Sequence, residues 1–470
     1  MWFSVFLVFH VLGFVSSVHS IMTTRTTQGA IAWAISLNTL PYLTVPAYWI
    51  LGRSRFQGYV TARQGADTGI RSVGIAAGKK VADYRVSIDE VSHAGRAAEN
   101  LVSMPYLNGN SVQLLVDGDA TFDSILEGID AAETYILFQF FIVHDDEIGR
   151  KIQSHLIAKA KQGVKVYFLY DEIGSLDLTA NYKNELRAAG AEVSAFNTRQ
   201  GKGNRFQINF RNHRKVVVVD GAVAWVGGHN VGDEYLSKDP KFGHWRDTHM
   251  RIVGPAALAC QLSFIEDWNW ATGNILELDW TPKPSSDGNV PVLIAPTGPA
   301  DELETAGLMF MHAINSATER IWIATPYFVP DEGIVHALQL AGLRGVDVRI
   351  LIPDKADQLL VGLAAYAYLE DSTRTGVHFY RYLDGFLHEK VMLLDHKAAT
   401  IGTANFDNRS FRLNFEITAM IKDADFAEQV AQMFERDFEK SRVMKEDEYE
   451  TKPFWFRFGV RLARLTSPVQ

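Results

Sequence analysis

The sequence predicts an α/β fold in which two similar α/β domains pack with pseudo-twofold symmetry behind N-terminal transmembrane helices. Three observations predict it. Residues 213–230 recur without a gap as residues 388–405. The order strand, helix, strand is written once in each half of the chain. Residues 1–52 carry a single formally charged side chain, Arg25.

Taken in order, residues 2–18 and 26–52 are uncharged apolar runs. Crossing a bilayer takes about 20 residues, so the second run is long enough for a transmembrane helix and the first is marginal. Pro41 and Pro46 should kink the second helix. A signal peptide cleaved near Val18, His19 and Ser20 would need a basic residue ahead of its apolar core, and none is present. Residues 1–56 therefore read as a membrane anchor, a two-helix hairpin. Arg53, Arg55, Arg63, Arg71, Lys79 and Lys80 follow against one acidic residue, Asp67, which places the large C-terminal region in the cytoplasm by the positive-inside rule. Residues 57–107 show no sustained period and read as a juxtamembrane linker with short helices near the membrane surface.

From residue 108 the pattern becomes α/β. Residues 135–143 form a strand, 148–161 a helix and 163–170 a strand; the second half repeats the order at 320–329, 333–343 and 345–352. Between them, a turn-rich connector with Pro282, Pro284, Gly288 and Pro291 separates a first domain, 108–280, from a second, 281–470. The tail at 452–465 interleaves aromatics with Lys452, Arg457, Arg461 and Arg464. It reads either as a segment lying in the interface of an anionic bilayer or as a terminal helix docked on the catalytic domain.

Composition narrows the function classes. A net charge of -9 argues against a polyanion binder, hence against nucleic acid as partner. The single cysteine, Cys260, excludes an intramolecular disulfide and a cysteine-rich zinc site, and reads as a buried small hydrophobe.

The repeat carries the chemistry. His213, Lys215, Asp220, Gly227 and Asn230 keep the same offsets as His388, Lys390, Asp395, Gly402 and Asn405. Double displacement at a phosphodiester needs a nucleophile that becomes phosphorylated and an acid that protonates the departing alkoxide. Two imidazoles fill both posts near neutral pH. Lys215, Lys390, Asn230 and Asn405 would hold the nonbridging phosphate oxygens, so neither a metal nor a cofactor is called for. In a strand, residues two apart share a face, so each histidine emerges beside its lysine. Asp220 and Asp395 have the opposite parity and lie at the strand's end, which marks them as carboxylates closing the turn. Asp247 and Glu416 are candidates to orient the histidine that precedes each of them. Asn209, Arg211 and Asn212 are candidates for headgroup contacts, and His229 for a structural or substrate-lining role. His144, His244 and His249 have no recognised metal-ligand spacing.

The paired motifs resemble the phospholipase D superfamily, and residues 405–416 resemble the second half of bacterial cardiolipin synthases. That resemblance, running from about residue 108 to the C-terminus, implies two phospholipase D-like domains with His213 as nucleophile and His388 as general acid. It further implies a multi-pass protein of the bacterial inner membrane, with phosphatidylglycerol and the anionic membrane as partners. The expected reaction joins two phosphatidylglycerol molecules into cardiolipin and releases glycerol. A phospholipase D-type hydrolase or another phosphatidyltransferase would use the same residues, and a lipid-binding scaffold would not need both motifs intact. The residues order neither histidine and leave the oligomeric state open.

Overall fold

In each half, seven strands stand in one order. The computed structural model describes residues 2–24, 26–52, 56, 59, 69–87, 93–197 and 209–467. In the first half the order is Glu192–Phe196, Lys165–Asp171, Tyr135–Phe140, Val216–Val219, Val223–Gly227, Thr248–Val253 and Leu107–Val116. The second half repeats it as Val377–Tyr382, Asp347–Pro353, Arg320–Ala324, Val391–Leu394, Ala398–Gly402, Asn414–Ile421 and Val290–Thr297. The first three strands of each set are parallel and the rest antiparallel. Leu107–Val116 pairs antiparallel with Val290–Thr297, so the halves share one continuous sheet.

Burial explains the composition of these strands. Val216–Val219 is buried at every position, because one sheet face packs on the outer helices and the other on the opposite half. The inward faces of both halves, including Leu137, Val218, Met250, Leu393, Ile401 and Ile417, form one apolar core with helices Ala257–Thr272 and Ala424–Glu439. Outer helices start at side-chain caps: Asp146 accepts from Gly149 N ahead of Glu147–Lys161, and Asp331 from Ile334 N ahead of Glu332–Leu343. The strand expected over 320–329 ends at Ala324 and resumes only as Phe328–Val329, since Pro326 has no N–H for a ladder.

The N-terminal expectation needs correcting. Among the described residues one helix is long and apolar enough to cross a membrane, and it lies in the first run: Trp2–Thr23, with the apolar span Ser4–Thr23. The second run is broken at Leu40 into Thr27–Thr39 and Pro41–Leu51, so it is not a single spanning helix. Leu40 precedes proline and is driven out of helical geometry. Pro46 stays inside the following helix. Both pieces pack back on the first helix, where Trp49 Nε1 donates to Ser16 Oγ at 3.0 Å and His19 Nδ1 lies 2.7 Å from the Tyr48 hydroxyl. Arg25, Arg53, Arg55, Arg63 and Asp67, which carried the charge argument, lie outside the described residues.

The stretch expected to be a linker is in part built into the body. The Tyr59 ring lies 4.6 Å from Phe415 while its hydroxyl donates to Asp267 at 3.1 Å, and Phe56, at the end of the expected anchor, stacks on Phe210 at 5.0 Å. Helix Ile70–Lys80 packs on Ala257–Thr272, and His93–Val102 on Thr305–Ser316.

Candidate active site

Each histidine stands just before its strand, and a short bridge ties that position to the other half. Arg211–Asn212 pairs parallel with Asn414–Phe415, and His213 N donates to Phe415 O at 2.9 Å. Phe386–Leu387 pairs with Trp245–Arg246, and His388 N donates to Arg246 O at 2.8 Å. These twin crossings decide which carboxylate meets which ring.

Pairing within each half was expected, and the structure shows the reverse. His213 Nδ1 donates to Glu416, with oxygens at 2.9 and 3.0 Å, and His388 Nδ1 donates to Asp247 Oδ2 at 2.7 Å. Each imidazole thus meets a carboxylate of the half it does not belong to. Glu416 also accepts from Thr403 Oγ1 at 2.6 Å and Asn414 Nδ2 at 3.2 Å. Asp247 has instead the N–H of Thr248 at 2.8 Å. Where the second half has Thr403 the first has Gly228, and a Cβ there would come within 2.0 Å of Asp247 Oδ1. Glycine is required by that close approach.

Lys215 Nζ donates to His213 O at 2.7 Å, and Lys390 Nζ donates to His388 O while standing 2.9 Å from His388 Nδ1. Burial lowers the affinity of all four groups for a proton. It pushes His213 down to about 4, helped by Lys215 and Lys390 and opposed by Glu416. His388 is held well below the usual histidine value by burial, then by Lys390 and Lys215. Lys215 falls to about 7 and Lys390 to about 8, again through burial. Burial opposes the charge on Glu416, yet the adjacent His213 and Lys215 outweigh it and hold the carboxyl below its ordinary range. The two rings and two lysines thus share one field.

Asp220 and Asp395 are not in this cluster. Both adopt left-handed φ of 52° in the turn at the far end of the strand. Asp220 accepts from the N–H groups of Glu133, Thr134 and Tyr135 at 2.8 Å each, and Asp395 from those of Thr318, Glu319 and Arg320. A four-residue strand sets them roughly 13 Å from the histidine end. Asn230 donates to the Tyr235 hydroxyl at 3.0 Å and accepts from Ile142 N at 3.2 Å; Asn405 donates to Asp407 at 3.2 Å. One amide hydrogen of each remains for a ligand.

Of the earlier headgroup candidates, Arg211 donates to Phe210 O at 2.7 Å, and both asparagines have contacts within the protein. Asn212 donates to Asp267 at 2.7 Å and accepts from Gln139 at 2.9 Å, and Asn209 accepts from Arg409 at 3.1 Å. His229 and His249 are fully buried with ring centroids 5.6 Å apart, and no ring nitrogen of either has a hydrogen-bond partner among the described residues. Cys260 is buried, which pushes its thiol up to about 12.

Sequence reasoning missed the layer beneath the rings. Arg214, between His213 and Lys215, turns the other way and binds both oxygens of Asp267 at 2.9 Å. Its counterpart Glu389 meets Arg246 at 2.8 Å, and Arg246 also binds Asp437 at 2.7 Å. Strand parity was the available signal, since the residue between histidine and lysine must face the core. Phe141 lies edge-on to His213 at 5.0 Å and Trp245 packs on His388 at 5.2 Å.

The family profile described as "Cardiolipin synthase, PLD-like domain" matches residues 125–240 and 310–438. Cardiolipin synthase A of Pseudomonas fluorescens strain Pf-5 is 47% identical over 468 residues, covering 98% of this chain and 96% of that protein. Cardiolipin synthase A of Pseudomonas putida strain W619 is 47% identical over 464 residues with the same coverage. Among solved structures, phosphatidylserine synthase of Haemophilus influenzae Rd KW20 superposes with a TM-score of 0.59 at 17% identity, covering 81% of this chain and all of that one. That last likeness is one of fold.

Proposed function

The chain belongs to the cardiolipin synthases with phospholipase D-like domains, and from that premise we propose that His213 and His388 move a phosphatidyl group between two molecules of phosphatidylglycerol. The observation that carries the assignment is the crossed pair of Nδ1 contacts. A carboxylate accepting from Nδ1–H fixes the tautomer and leaves Nε2 as the reacting nitrogen on each ring.

His213 Nε2 attacks phosphorus and forms the N–P bond as the P–O bond to glycerol breaks. Nε2–H of protonated His388 passes its proton to the departing glycerol oxygen. Neutral His388 then takes the proton from the glycerol hydroxyl of a second phosphatidylglycerol, whose oxygen attacks phosphorus and restores His213. Protons balance over the cycle. Burial, then Lys390 and Lys215, opposes a proton on His388; the anionic phosphodiester offsets the lysines and favours the charged ring, so substrate binding brings that proton in. Lys215 and Lys390 face the nonbridging oxygens, with Asn230 and Asn405 supplying one N–H each. Asp220 and Asp395 hold the turns.

Incubation of the full chain with phosphatidylglycerol alone tests this: cardiolipin with equimolar glycerol is expected. Phosphatidic acid with glycerol would replace the transferase by a hydrolase.

The relatives' identity also carries membrane association. The apolar helix Trp2–Thr23 anchors the chain in a bacterial inner membrane, and the broken second segment folds back on it to leave the catalytic halves in the cytoplasm. A reporter fused after Gln470 should be active on the cytoplasmic side; activity on the outer side would refute this topology.

A further inference from the structure

The last helix, Phe454–Arg464, packs on Leu359–Thr373 and buries Val460 and Ala463 there, with Phe456 edge-on to Tyr366 at 5.1 Å. Docking accounts for only one side of it. At about 100° per residue, Phe454, Trp455, Phe458, Leu462 and Leu465 fall on a separate arc roughly 100° wide. They are 63%, 76%, 48%, 50% and 75% exposed. A third arc carries Arg457, Arg461 and Arg464, so the helix has a docked face, an open apolar face and a basic face. Residues 451–470 hold four basic side chains and no acidic one, in a chain whose net charge is -9.

We infer that this open face is a second membrane contact, lying in the headgroup boundary of an anionic bilayer with its aromatics inserted and its basic arc on lipid phosphates. Charge selects this occupant over a second copy: Arg461 is paired with Glu370 at 3.1 Å, and a twofold contact through this face would set Arg457 and Arg464 against their own counterparts. Aromatic rings with a flanking basic arc suit the interface. The contact also orients the cleft. Leu359 and Leu360, 76% and 55% exposed, begin the supporting helix just past the end of strand Asp347–Pro353. That strand runs parallel to Arg320–Ala324, whose Ala324 faces Val391 beside the His388 motif. The apolar helix pair thus presents the histidine edge of the second half toward the lipid.

This inference rests on the reading that the chain acts on membrane phospholipid, but its test needs no turnover. An environment-sensitive fluorophore is placed at Trp455→Cys or Phe458→Cys in the full chain, reconstituted in phosphatidylglycerol/phosphatidylethanolamine vesicles; Cys260 is buried and does not compete. Both labels should shift to the blue and be quenched by lipids spin-labelled near the headgroup, several-fold less in pure phosphatidylcholine. A label at Lys151→Cys, on helix Glu147–Lys161, should stay water-like. Labels at 455 and 458 that remain water-like in anionic vesicles would overturn the inference. So would shielding that rises with protein concentration and resists lipid quenchers, which would mean a second copy covers the face.

Discussion

Glu416→Gln replaces a carboxylate by an amide of the same shape, and the consequence can be worked from its neighbours. Thr403 Oγ1 donates to Oε2 at 2.6 Å and Asn414 Nδ2 to Oε1 at 3.2 Å, with His213 Nδ1 within 3.0 Å of both oxygens; an amide keeps one acceptor oxygen, and with it on the shorter Thr403 bond the NH2 takes the Oε1 place beside His213 and Asn414. The ring must then accept at Nδ1 and carry its proton on Nε2, the nitrogen that has to attack. Loss of a charge-assisted hydrogen bond costs about 1.5–3 kcal/mol, and a reversed tautomer in a catalytic triad lowers turnover about 10⁴-fold. We expect a loss of roughly 10³ to 10⁴ in the rate at which the phosphohistidine forms, followed by rapid quench of labelled phosphatidylglycerol. The crossed pairing makes a sharper claim. With His213→Ala already present, Glu416→Gln should cost little more, whereas its cost should remain distinct beside Asp247→Asn. A Glu416→Gln enzyme within tenfold of the parent, or one defective only in adduct breakdown, would refute the reasoning.

His213→Ala and His388→Ala should each remove nearly all turnover, and the parent's activity should survive exhaustive chelation; activity lost to chelator and restored by one divalent ion would expose a missed metal role. Gly228→Ala should lower turnover more than a hundredfold with thermal stability little changed, because its Cβ displaces Asp247 from His388; an unaffected rate would show that Asp247 does not orient that ring. Acid should destabilise the fold through the buried rings. The folded pKa of His213, about 4, lies below the unfolded value of about 6.5, so the unfolded state binds more protons. The stability His213 contributes is complete above pH ~6.5 and is lost as pH falls through about 4. His388 shifts the same way. Thermal midpoints of the solubilised protein from pH 7 to 4.5 should fall less steeply in His213→Gln, and identical slopes would contradict the burial argument.

Much of the site could be read from parity. Val216–Val219 and Val391–Leu394 are buried runs whose period fixes where histidine, lysine and aspartate point, and the repeat made two such strands inevitable partners. The crossing of Asp247 and Glu416 was not legible. It depends on bridges of two residues each, too short to leave a periodic trace and joining segments far apart in the chain. The anchor misled for a simpler reason. Counting uncharged apolar residues stopped the first helix near His19, yet that imidazole is satisfied by Tyr48 within the bundle and the helix runs on to Thr23. The second run passed the length test, but length says nothing of a residue that precedes proline.

The crossed carboxylates also govern inheritance. Neither half holds a finished imidazole: one copy owns the ring and the other owns the group that aims it. A chain cut in the connector near Gly288 should give two fragments that are inert apart and regain activity only when co-expressed. By the same logic the halves cannot drift independently. A change in strand-end geometry on one side misaims the ring on the other.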